Sequence, residues 1–304
     1  MTFSITIAVP ATSANVAVGF DTLGLALNYR ATFIFSQSSQ HLEISGTEAK
    51  YQTSNNLAYR AFAKGCEYLE QPVPNIKIDM DKTLPISRGI GSSATCIVAG
   101  LVAAGKWYKQ AFNNQELIKL ATEMEGHPDN VVPAILGGLQ LSFIDDNNQP
   151  QVVSYHVADN LRLIAMIPNY KVNTDEARKI LPTSLNYADA IHQVSHFGIL
   201  IHGLESGNLA EIKLGMEDRM HEPYRSTLIP EFNQAKQIVN SHNGALYISG
   251  SGPTLMAIFD SHIHSKAFSN IASDTFSSWQ IRPVEIDATG VQSEDSKLGK
   301  VLYR

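Results

Sequence analysis

Residues 85–100 read PISRGIGSSATCIVAG, with two glycines and two serines directly before an apolar run. The apolar run predicts a helix that begins near Ser92. The first turn of a helix exposes N–H groups and a partial positive charge, and glycines let the backbone approach an anion closely. The stretch therefore predicts either a phosphate-binding loop or an ordinary loop in which Ser92 or Ser93 is the N-cap of a buried helix.

A second glycine-containing stretch, GLVAAGK at residues 100–106, matches the spacing of the Walker phosphate loop as far as its lysine. Trp107 stands where that motif needs a Ser or Thr hydroxyl to reach magnesium. Residues 101–104 are helix formers that continue the helix from Ser92, and a helix interior has no free N–H groups for phosphate. We therefore expect any anion site at the start of the helix.

The composition is that of a globular protein with a small substrate. The chain has 304 residues, 44% of them hydrophobic, which suits one large domain or two ordinary ones. Twenty-three Lys and Arg against 29 Asp and Glu give a formal charge of −6, which argues against a nucleic-acid scaffold or a membrane-surface binder. Cys66 and Cys96 are too few for a disulfide framework, so we predict a reducing, cytoplasmic location.

The N-terminus, MTFSITIAVP, is predicted to be a strand rather than a signal peptide because Phe3, Ile5, Ile7 and Val9 alternate and no Lys or Arg precedes them. The following stretch, residues 10–27, is dense in small residues and predicts a loop. No uninterrupted apolar run approaches the roughly 18 residues that span a bilayer, so no membrane partner is expected.

Strand and helix patterns are mixed along the chain without an internal repeat, which predicts two α+β layers. GGLQLSFIDDNNQPQVVSYH predicts a hairpin around the polar turn DDNNQP, and we place a change of domain near Pro150. The expected fold is α+β, with an N-terminal domain over residues 1–150 and a C-terminal domain over residues 151–304.

Three stretches together carry a family resemblance. PATSANVAVGFDTLG, PISRGIGSSAT and ISGSGPTLMAIF resemble, in order and spacing, the three motifs of the GHMP small-molecule kinases, named for galactose, homoserine, mevalonate and phosphomevalonate kinases. Within that superfamily, PATSANVAVGFD and the later EGHPDNVVPAILGG are similar to the homoserine kinase family, and the resemblance covers essentially the whole chain.

The resemblance implies the two-domain GHMP kinase fold, with an N-terminal ribosomal-S5-like α+β domain and a C-terminal ferredoxin-like α+β domain. It also implies ATP-dependent phosphorylation of the side-chain hydroxyl of L-homoserine, a step of threonine biosynthesis, with ATP and Mg²⁺ as cofactors. A kinase for another small alcohol and a non-enzymatic sensor of the same fold are the alternatives. The resemblance is also compatible with a homodimer.

An amino-acid pocket is implied for five residues. By resemblance Asn15, Asp21 and His127 line it, with Asp21 as the partner of the substrate ammonium, and Arg178 and Arg225 bind the carboxylate. Without the resemblance, a turn residue beside glycine is the alternative for Asp21. A solvated helix face is then the preferred interpretation for Arg178, and a structural role is preferred for His127.

A nucleotide site is implied along the glycine loop, where Arg88 supplies the positive charge that a Walker loop takes from lysine. Gly89 and Gly91 are expected to let the backbone approach the triphosphate, and the ISGSGP turn to pack against the loop. The implied nucleotide-binding residues are Pro85, Ile86, Ser87, Arg88, Gly89, Ile90, Gly91, Ser92, Ser93, Ala94, Thr95 and Asn56.

The implied catalytic residues are Asn130, Glu125 and Ser93. Asn130 is interpreted as orienting the hydroxyl, because an amide is not a useful base near neutral pH. Asp129 is the alternative base, although a structural role is preferred. By resemblance, the hydroxyl of Ser92 or Ser93 and the carboxylate of Glu125 bind magnesium, with Glu123 as a neighbouring alternative to Glu125.

His192 and His196 lie four residues apart on a predicted helix, which is the spacing of two zinc ligands. No Glu follows His192 and the sequence offers no evident third ligand. A partly exposed helix face is therefore the preferred interpretation.

Overall fold

Two sheets carry the fold in the computed structural model, which describes residues 3–295 and 299–302. In chain order the strands are β1 (Ser4–Ala14), β2 (Leu23–Gln37), β3 (Leu42–Ser45), β4 (Ile76–Lys82), β5 (Leu139–Ile144), β6 (Pro150–Tyr155), β7 (Arg162–Ile167), β8 (Ala245–Ile248), β9 (Leu255–Phe259), β10 (Gln280–Val284), β11 (Gln292–Asp295) and β12 (Gly299–Leu302). The helices are α1 (Leu57–Tyr68), α2 (Ser92–Trp107), α3 (Asn114–Glu125), α4 (Pro128–Leu136), α5 (Thr174–Lys179), α6 (Tyr187–Ser206), α7 (Leu209–Gly215), α8 (Glu222–Arg225), α9 (Phe232–Ser241) and α10 (His262–Thr275).

The larger sheet runs in the order β12-β11-β1-β2-β4-β3, with β5 paired to β2 and β6 to β5. Its β3–β4 pair is parallel and its other pairs are antiparallel. The smaller sheet is antiparallel in the order β10-β7-β9-β8. One continuous core joins the sheets, since Ile5 of β1 and Tyr247 of β8 belong to the same buried cluster. The predicted α+β class is confirmed.

The predicted hairpin around DDNNQP is confirmed by the antiparallel pairing of β5 with β6. The division at residues 150/151 stays a prediction. The sheet changes between β6 and β7, and β11 and β12 return to the sheet that contains β1. Among the described residues, no helix combines the length and the hydropathy needed to cross a bilayer.

The first strand is longer than the sequence predicts. Ile5, Ile7 and Val9 are fully buried, as their alternation indicates, but β1 continues through Pro10 to Ala14. The expected loop over residues 10–27 is therefore wrong, and the connection to β2 is only residues 15–22. A register shift between Pro10 and Ala11 accommodates a residue that has no N–H to donate.

Helix α2 begins at Ser92, but its N-cap is Gly91, so the alternative in which a serine caps the helix is wrong. Eleven of its 16 residues are buried, and most of them belong to the continuous core that joins the two sheets. The stretch GLVAAGK lies inside α2, with Lys106 in its last turn. Lys106 is thus about 21 Å along the axis from Ser92, at 1.5 Å per residue, and the rejection of a Walker loop is confirmed.

Candidate active site

A cavity of about 350 Å³ lies where the N-terminus of α2 meets the α3–α4 connection, the β1–β2 loop and the β8–β9 turn. Most residues that the sequence assigns to a site line it, namely Asn15, Asp21, Asn56, Ile86, Ser87, Arg88, Gly89, Gly91, Ser92, Ser93, Glu125, His127, Asn130, Arg178 and Arg225. Over the residues that the structure describes, the cavity wall does not include Pro85, Ile90, Ala94 or Thr95. Ile90, Ala94 and Thr95 are at most 1% exposed, so their side chains belong to the interior.

The β8–β9 turn holds the glycine loop in place. The Ser249 hydroxyl donates to the carbonyl of Gly89 at 2.5 Å, and the Thr254 N–H donates to the carbonyl of Arg88 at 3.1 Å. Gly89 has φ +75°, and a Cβ there would lie 2.3 Å from the carbonyl oxygen of Ser249. The predicted packing of the turn against the loop is confirmed.

Gly91 is required for a similar reason. It has φ +67°, and a Cβ on it would lie 2.0 Å from Thr12 Oγ1 and 3.0 Å from Asn130 Oδ1. Thr12 Oγ1 in turn donates to Asn130 Oδ1 at 2.7 Å. The atoms that exclude a side chain at both glycines are thus protein atoms, whereas the sequence suggested the approach of a triphosphate as the reason.

The start of α2 opens into the cavity. The Thr95 N–H makes the first helical bond, to the carbonyl of Gly91 at 3.0 Å, so the N–H groups of residues 92–94 precede the hydrogen-bond ladder. Ser92 and Ser93 also line the cavity. This end of the helix therefore presents donors and the positive end of the helix dipole to any anion bound there.

A hydroxyl and a carboxylate lie together beside this helix end. Ser93 Oγ donates to Glu125 Oε2 at 2.6 Å. Burial raises the pKa of Glu125, and the hydrogen bond from Ser93 only partly offsets that shift. Glu123 is exposed and is not among the described residues that line the cavity. Of the two acidic residues considered for magnesium, the geometry therefore favours Glu125.

A partly buried ion pair lies at the start of α4. His127 Nδ1 lies 2.5 Å from Asp129 Oδ1, and Asp129 is 2% exposed. Burial alone would lower the pKa of His127, but the hydrogen bond and the charge of Asp129, followed by the charge of Glu125, raise it overall. The Asp129 carboxylate thus orients His127, which favours the structural role.

Asp21 and Arg178, which also line the cavity, form a two-point ion pair. Arg178 Nη1 donates to Asp21 Oδ2 at 2.9 Å, and Nη2 donates to Oδ1 at 2.8 Å. Arg225 lies beside them, 2% exposed, with its guanidinium 5.0 Å from the Phe20 ring. Burial and then the charge of Arg178 lower the pKa of Arg225 to about 10, so it remains cationic at neutral pH.

The β1–β2 loop that carries Asp21 has an unusual backbone. Asn15, Val16 and Ala17 have φ values of 69°, 42° and 60°, in the left-handed region that non-glycine residues rarely occupy. Asn15 stabilises this conformation, because its Oδ1 accepts from the Asp21 N–H at 3.0 Å and its Nδ2 donates to the carbonyl of Gly250 at 2.8 Å. Such backbone strain concentrates at ligand sites.

Comparison with known proteins identifies the family. Family models described as GHMP kinases N terminal domain and GHMP kinases C terminal match residues 56–138 and 200–278. The homoserine kinase of Nostoc punctiforme is 39% identical, covering 95% of this chain and 98% of that protein. A second, from Synechococcus sp., is 44% identical over 83% of this chain and 84% of that protein. The chain belongs to the homoserine kinase family of the GHMP kinases.

A solved structure agrees with this assignment. The crystal structure of homoserine kinase from Cytophaga hutchinsonii matches with a TM-score of 0.86 at 28% identity, covering 95% of this chain and 97% of that one. The family and the two-domain GHMP kinase fold inferred from three motifs are therefore confirmed, and the chain is a kinase.

Two residues predicted to bind nucleotide in this GHMP kinase have intramolecular partners. Arg88 donates from Nε to the carbonyl of Pro168 at 2.9 Å and from Nη1 to that of Ile86 at 3.3 Å. Asn56 is the N-cap of α1, and its Nδ2 donates to the carbonyl of Tyr51 at 2.9 Å. Both side chains shape the cavity, and their contacts with nucleotide stay predictions.

Sequence reasoning missed part of the cavity wall. Thr47, Tyr51, Leu57 and Met80 form a less polar end of the cavity near Asn56. They lie in no motif, and residues 47–55 have little periodicity, so no sequence signal singled them out. Thr12 was also missed, although it lies in the PATSAN motif, because the motif does not show which of its hydroxyls faces Asn130.

Proposed function

We propose that this chain transfers the γ-phosphoryl group of ATP to the side-chain hydroxyl of L-homoserine, giving O-phospho-L-homoserine, a step of threonine biosynthesis. One observation carries the proposal. A single cavity contains the open N-terminus of α2, the Ser93–Glu125 pair, and Asp21 paired with Arg178 in a lining that also includes Arg225. The named relatives support the same reaction.

The charges at Asp21 suit an α-amino acid. A zwitterion presents an ammonium and a carboxylate. Its ammonium is complementary to the Asp21 carboxylate, and its carboxylate is complementary to the Arg178 guanidinium. Arg225 adds a second guanidinium, while Asn15 keeps the Asp21 backbone in place. We assign the ammonium to Asp21 and the carboxylate to the two arginines, with His127 at the edge of the pocket.

ATP is assigned to the glycine loop and the start of α2. The N–H groups of residues 92–94 and the helix dipole favour the phosphates. The less polar wall around Tyr51 and Met80 suits the adenine ring, since bases contact apolar and aromatic side chains well.

The Ser93–Glu125 pair fits magnesium, which prefers oxygen ligands. Burial disfavours the ionised Glu125, as its raised pKa indicates, and a bound cation would offset that cost. We assign the metal to Glu125 and Ser93, with Ser92 as the neighbouring hydroxyl. When bound, magnesium would neutralise charge on the phosphates and on the transferring phosphoryl group.

Asn130 is assigned to the substrate hydroxyl. Because Thr12 donates to Asn130 Oδ1, the amide Nδ2 is left to donate to the alcohol oxygen. The alcohol oxygen forms its bond to the γ-phosphorus as the bond from that phosphorus to the β–γ bridging oxygen breaks. The proton leaves late, to the transferred phosphoryl group or to solvent. Such positioning suffices for phosphoryl transfer without a strong base.

The reaction is tested with a coupled assay of ADP release from ATP and Mg²⁺, with L-homoserine, mevalonate and galactose as acceptors. We expect turnover of L-homoserine and very little of the other two. Preference for mevalonate or galactose would contradict the substrate, and absence of turnover with every acceptor would indicate a sensor. A cytoplasmic location and a homodimer remain predictions.

The raised pKa of Glu125 gives a prediction about pH. A carboxyl with a raised pKa is protonated, and unable to bind a cation, at pH values where an ordinary carboxyl is ionised. We expect activity to fall as the pH decreases. The fall should occur at pH values higher than those at which an ordinary carboxyl becomes protonated. Because magnesium and the proton compete for the carboxylate, raising the Mg²⁺ concentration should move this fall to lower pH. The measurement is kcat/KM against pH at several Mg²⁺ concentrations, and a position independent of Mg²⁺ would contradict it.

A further inference from the structure

The structure supplies a third ligand for the histidine pair on α6. Candidate ligand atoms of His192, His196 and Glu217 lie within 4.8 Å of one another. Glu217 comes from the connection between α7 and α8, 21 positions after His196, so no local motif links them. None of the three residues is among the described residues that line the active-site cavity.

The hydrogen bonds of His196 fix its lone pair. Its Nδ1 lies 2.8 Å from the carbonyl oxygen of His192, and a carbonyl can only accept, so Nδ1 carries the hydrogen. In the neutral ring Nε2 therefore has a lone pair, and it faces Glu217 Oε2 at 4.0 Å. Two acceptors that face each other are stabilised when a cation lies between them.

The second ring completes the arrangement. The rings of His192 and His196 are stacked with centroids 3.5 Å apart. By the same argument His192 Nε2, which lies 2.6 Å from the carbonyl oxygen of Glu217, carries the hydrogen and holds the Glu217 backbone close to the rings. The lone pair of the neutral His192 ring is therefore on Nδ1. Both histidines are half-buried and Glu217 is exposed, which leaves one side open to solvent.

We propose that His192, His196 and Glu217 bind a zinc ion. Two imidazoles and one carboxylate are a donor set that zinc accepts, with a fourth position for water, whereas magnesium prefers oxygen ligands. Ligand atoms of one tetrahedral zinc ion lie about 3.4 Å apart, so the 4.0 Å between Nε2 and Oε2 closes with a small side-chain rotation. His196 Nδ1–H donating to a backbone carbonyl is the outer-shell contact that such ligands usually have.

The zinc ion connects α6 to the segment that positions Arg225. Asp218, the residue after Glu217, accepts at Oδ2 from the N–H groups of His221 and Glu222, each at 2.7 Å, at the start of α8. Gln193, the residue after His192, donates to Asp218 Oδ1 at 2.6 Å. The site is thus structural, and its effect is to stabilise the Asp218 hydrogen bonds that hold the start of α8.

The test uses the full, untagged chain, stripped of metal and kept free of magnesium, titrated with Zn²⁺ by calorimetry. We expect one zinc ion per chain and a Tm that rises and then saturates with Zn²⁺. His196→Ala and Glu217→Gln should each weaken zinc binding at least tenfold and abolish the rise in Tm.

Two control variants make the result specific. His202→Ala removes another histidine of α6, whose Nδ1 lies 2.6 Å from Glu211, and should leave zinc affinity unchanged. Glu125→Gln should also bind zinc as the unsubstituted chain does, which separates this site from the one assigned to magnesium. The proposal is overturned if the unsubstituted chain shows no saturable binding, if His196→Ala binds normally, or if either control loses affinity as His196→Ala does.

Discussion

Replacing Glu125 with Gln is expected to lower kcat by about 10²–10³-fold while changing the KM for homoserine little. Gln keeps the size of the side chain and can still accept from Ser93 Oγ, which lies 2.6 Å from Glu125 Oε2. It removes the negative charge that holds a cation beside the phosphates. Because that charge matters most as the phosphoryl group transfers, the loss should appear in kcat.

Glu123→Gln is the matched control, since Glu123 lies two residues earlier in α3 and is exposed. It should retain nearly full activity. Equal losses in the two variants, or a loss from Glu123→Gln alone, would move the metal site. Steady-state kinetics across a range of Mg²⁺ concentrations gives both parameters for each variant.

Arg178→Ala is expected to lower kcat/KM for L-homoserine roughly ten- to more than a hundredfold, because a hydrogen bond to a charged group contributes about 1.5 to 3 kcal/mol. Asp21→Asn should have a similar effect. Each change also breaks the Asp21–Arg178 ion pair, so loss of activity alone does not show which substrate group each residue binds.

Two truncated substrates separate the roles. 4-Hydroxybutyrate lacks the ammonium of homoserine, and 3-amino-1-propanol lacks the carboxylate. The unsubstituted enzyme should reject both strongly, since a site built for a charged group discriminates against an analogue without it. Asp21→Asn should reduce discrimination against 4-hydroxybutyrate, and Arg178→Ala should reduce discrimination against 3-amino-1-propanol.

Arg219→Ala is the control for Arg178, because it breaks an exposed ion pair with Asp189 elsewhere on the chain. Its kinetics should match those of the unsubstituted enzyme. If Arg178→Ala leaves homoserine kinetics unchanged, the carboxylate assignment is wrong. If Asp21→Asn instead reduces discrimination against 3-amino-1-propanol, and Arg178→Ala reduces it against 4-hydroxybutyrate, the orientation of the substrate is reversed.

The sequence predicted which segments meet at the site better than it predicted how they meet. Three short motifs in order were enough to identify the family, because each motif has a distinctive composition. The Thr12–Asn130 hydrogen bond joins residues 118 positions apart, and the Asp21–Arg178 pair joins residues 157 apart. Neither contact has a local signal, so a single sequence does not predict them.

The glycines show the same limit. Their left-handed conformation could be expected from the residue type, but the atoms that crowd Gly89 and Gly91 come from β1, α4 and the β8–β9 turn. The left-handed run at residues 15–17 was not predictable as a run, because only Asn15 is a residue type that enters this region readily and Val16 is one that avoids it. Tertiary packing produces both the crowding around the two glycines and the left-handed run at residues 15–17, and local sequence preference predicts neither.

The return of β11 to the first sheet has a consequence for biosynthesis. Strand β1 pairs with β2 on one side and with β11 on the other, so one edge of β1 stays open until residues 292–295 have been translated. At about 5–20 residues per second, this edge waits roughly 15 to 50 s after β2 has left the ribosome. An open strand edge can pair with other chains. The nascent chain is therefore most exposed to aggregation while its second half is being made.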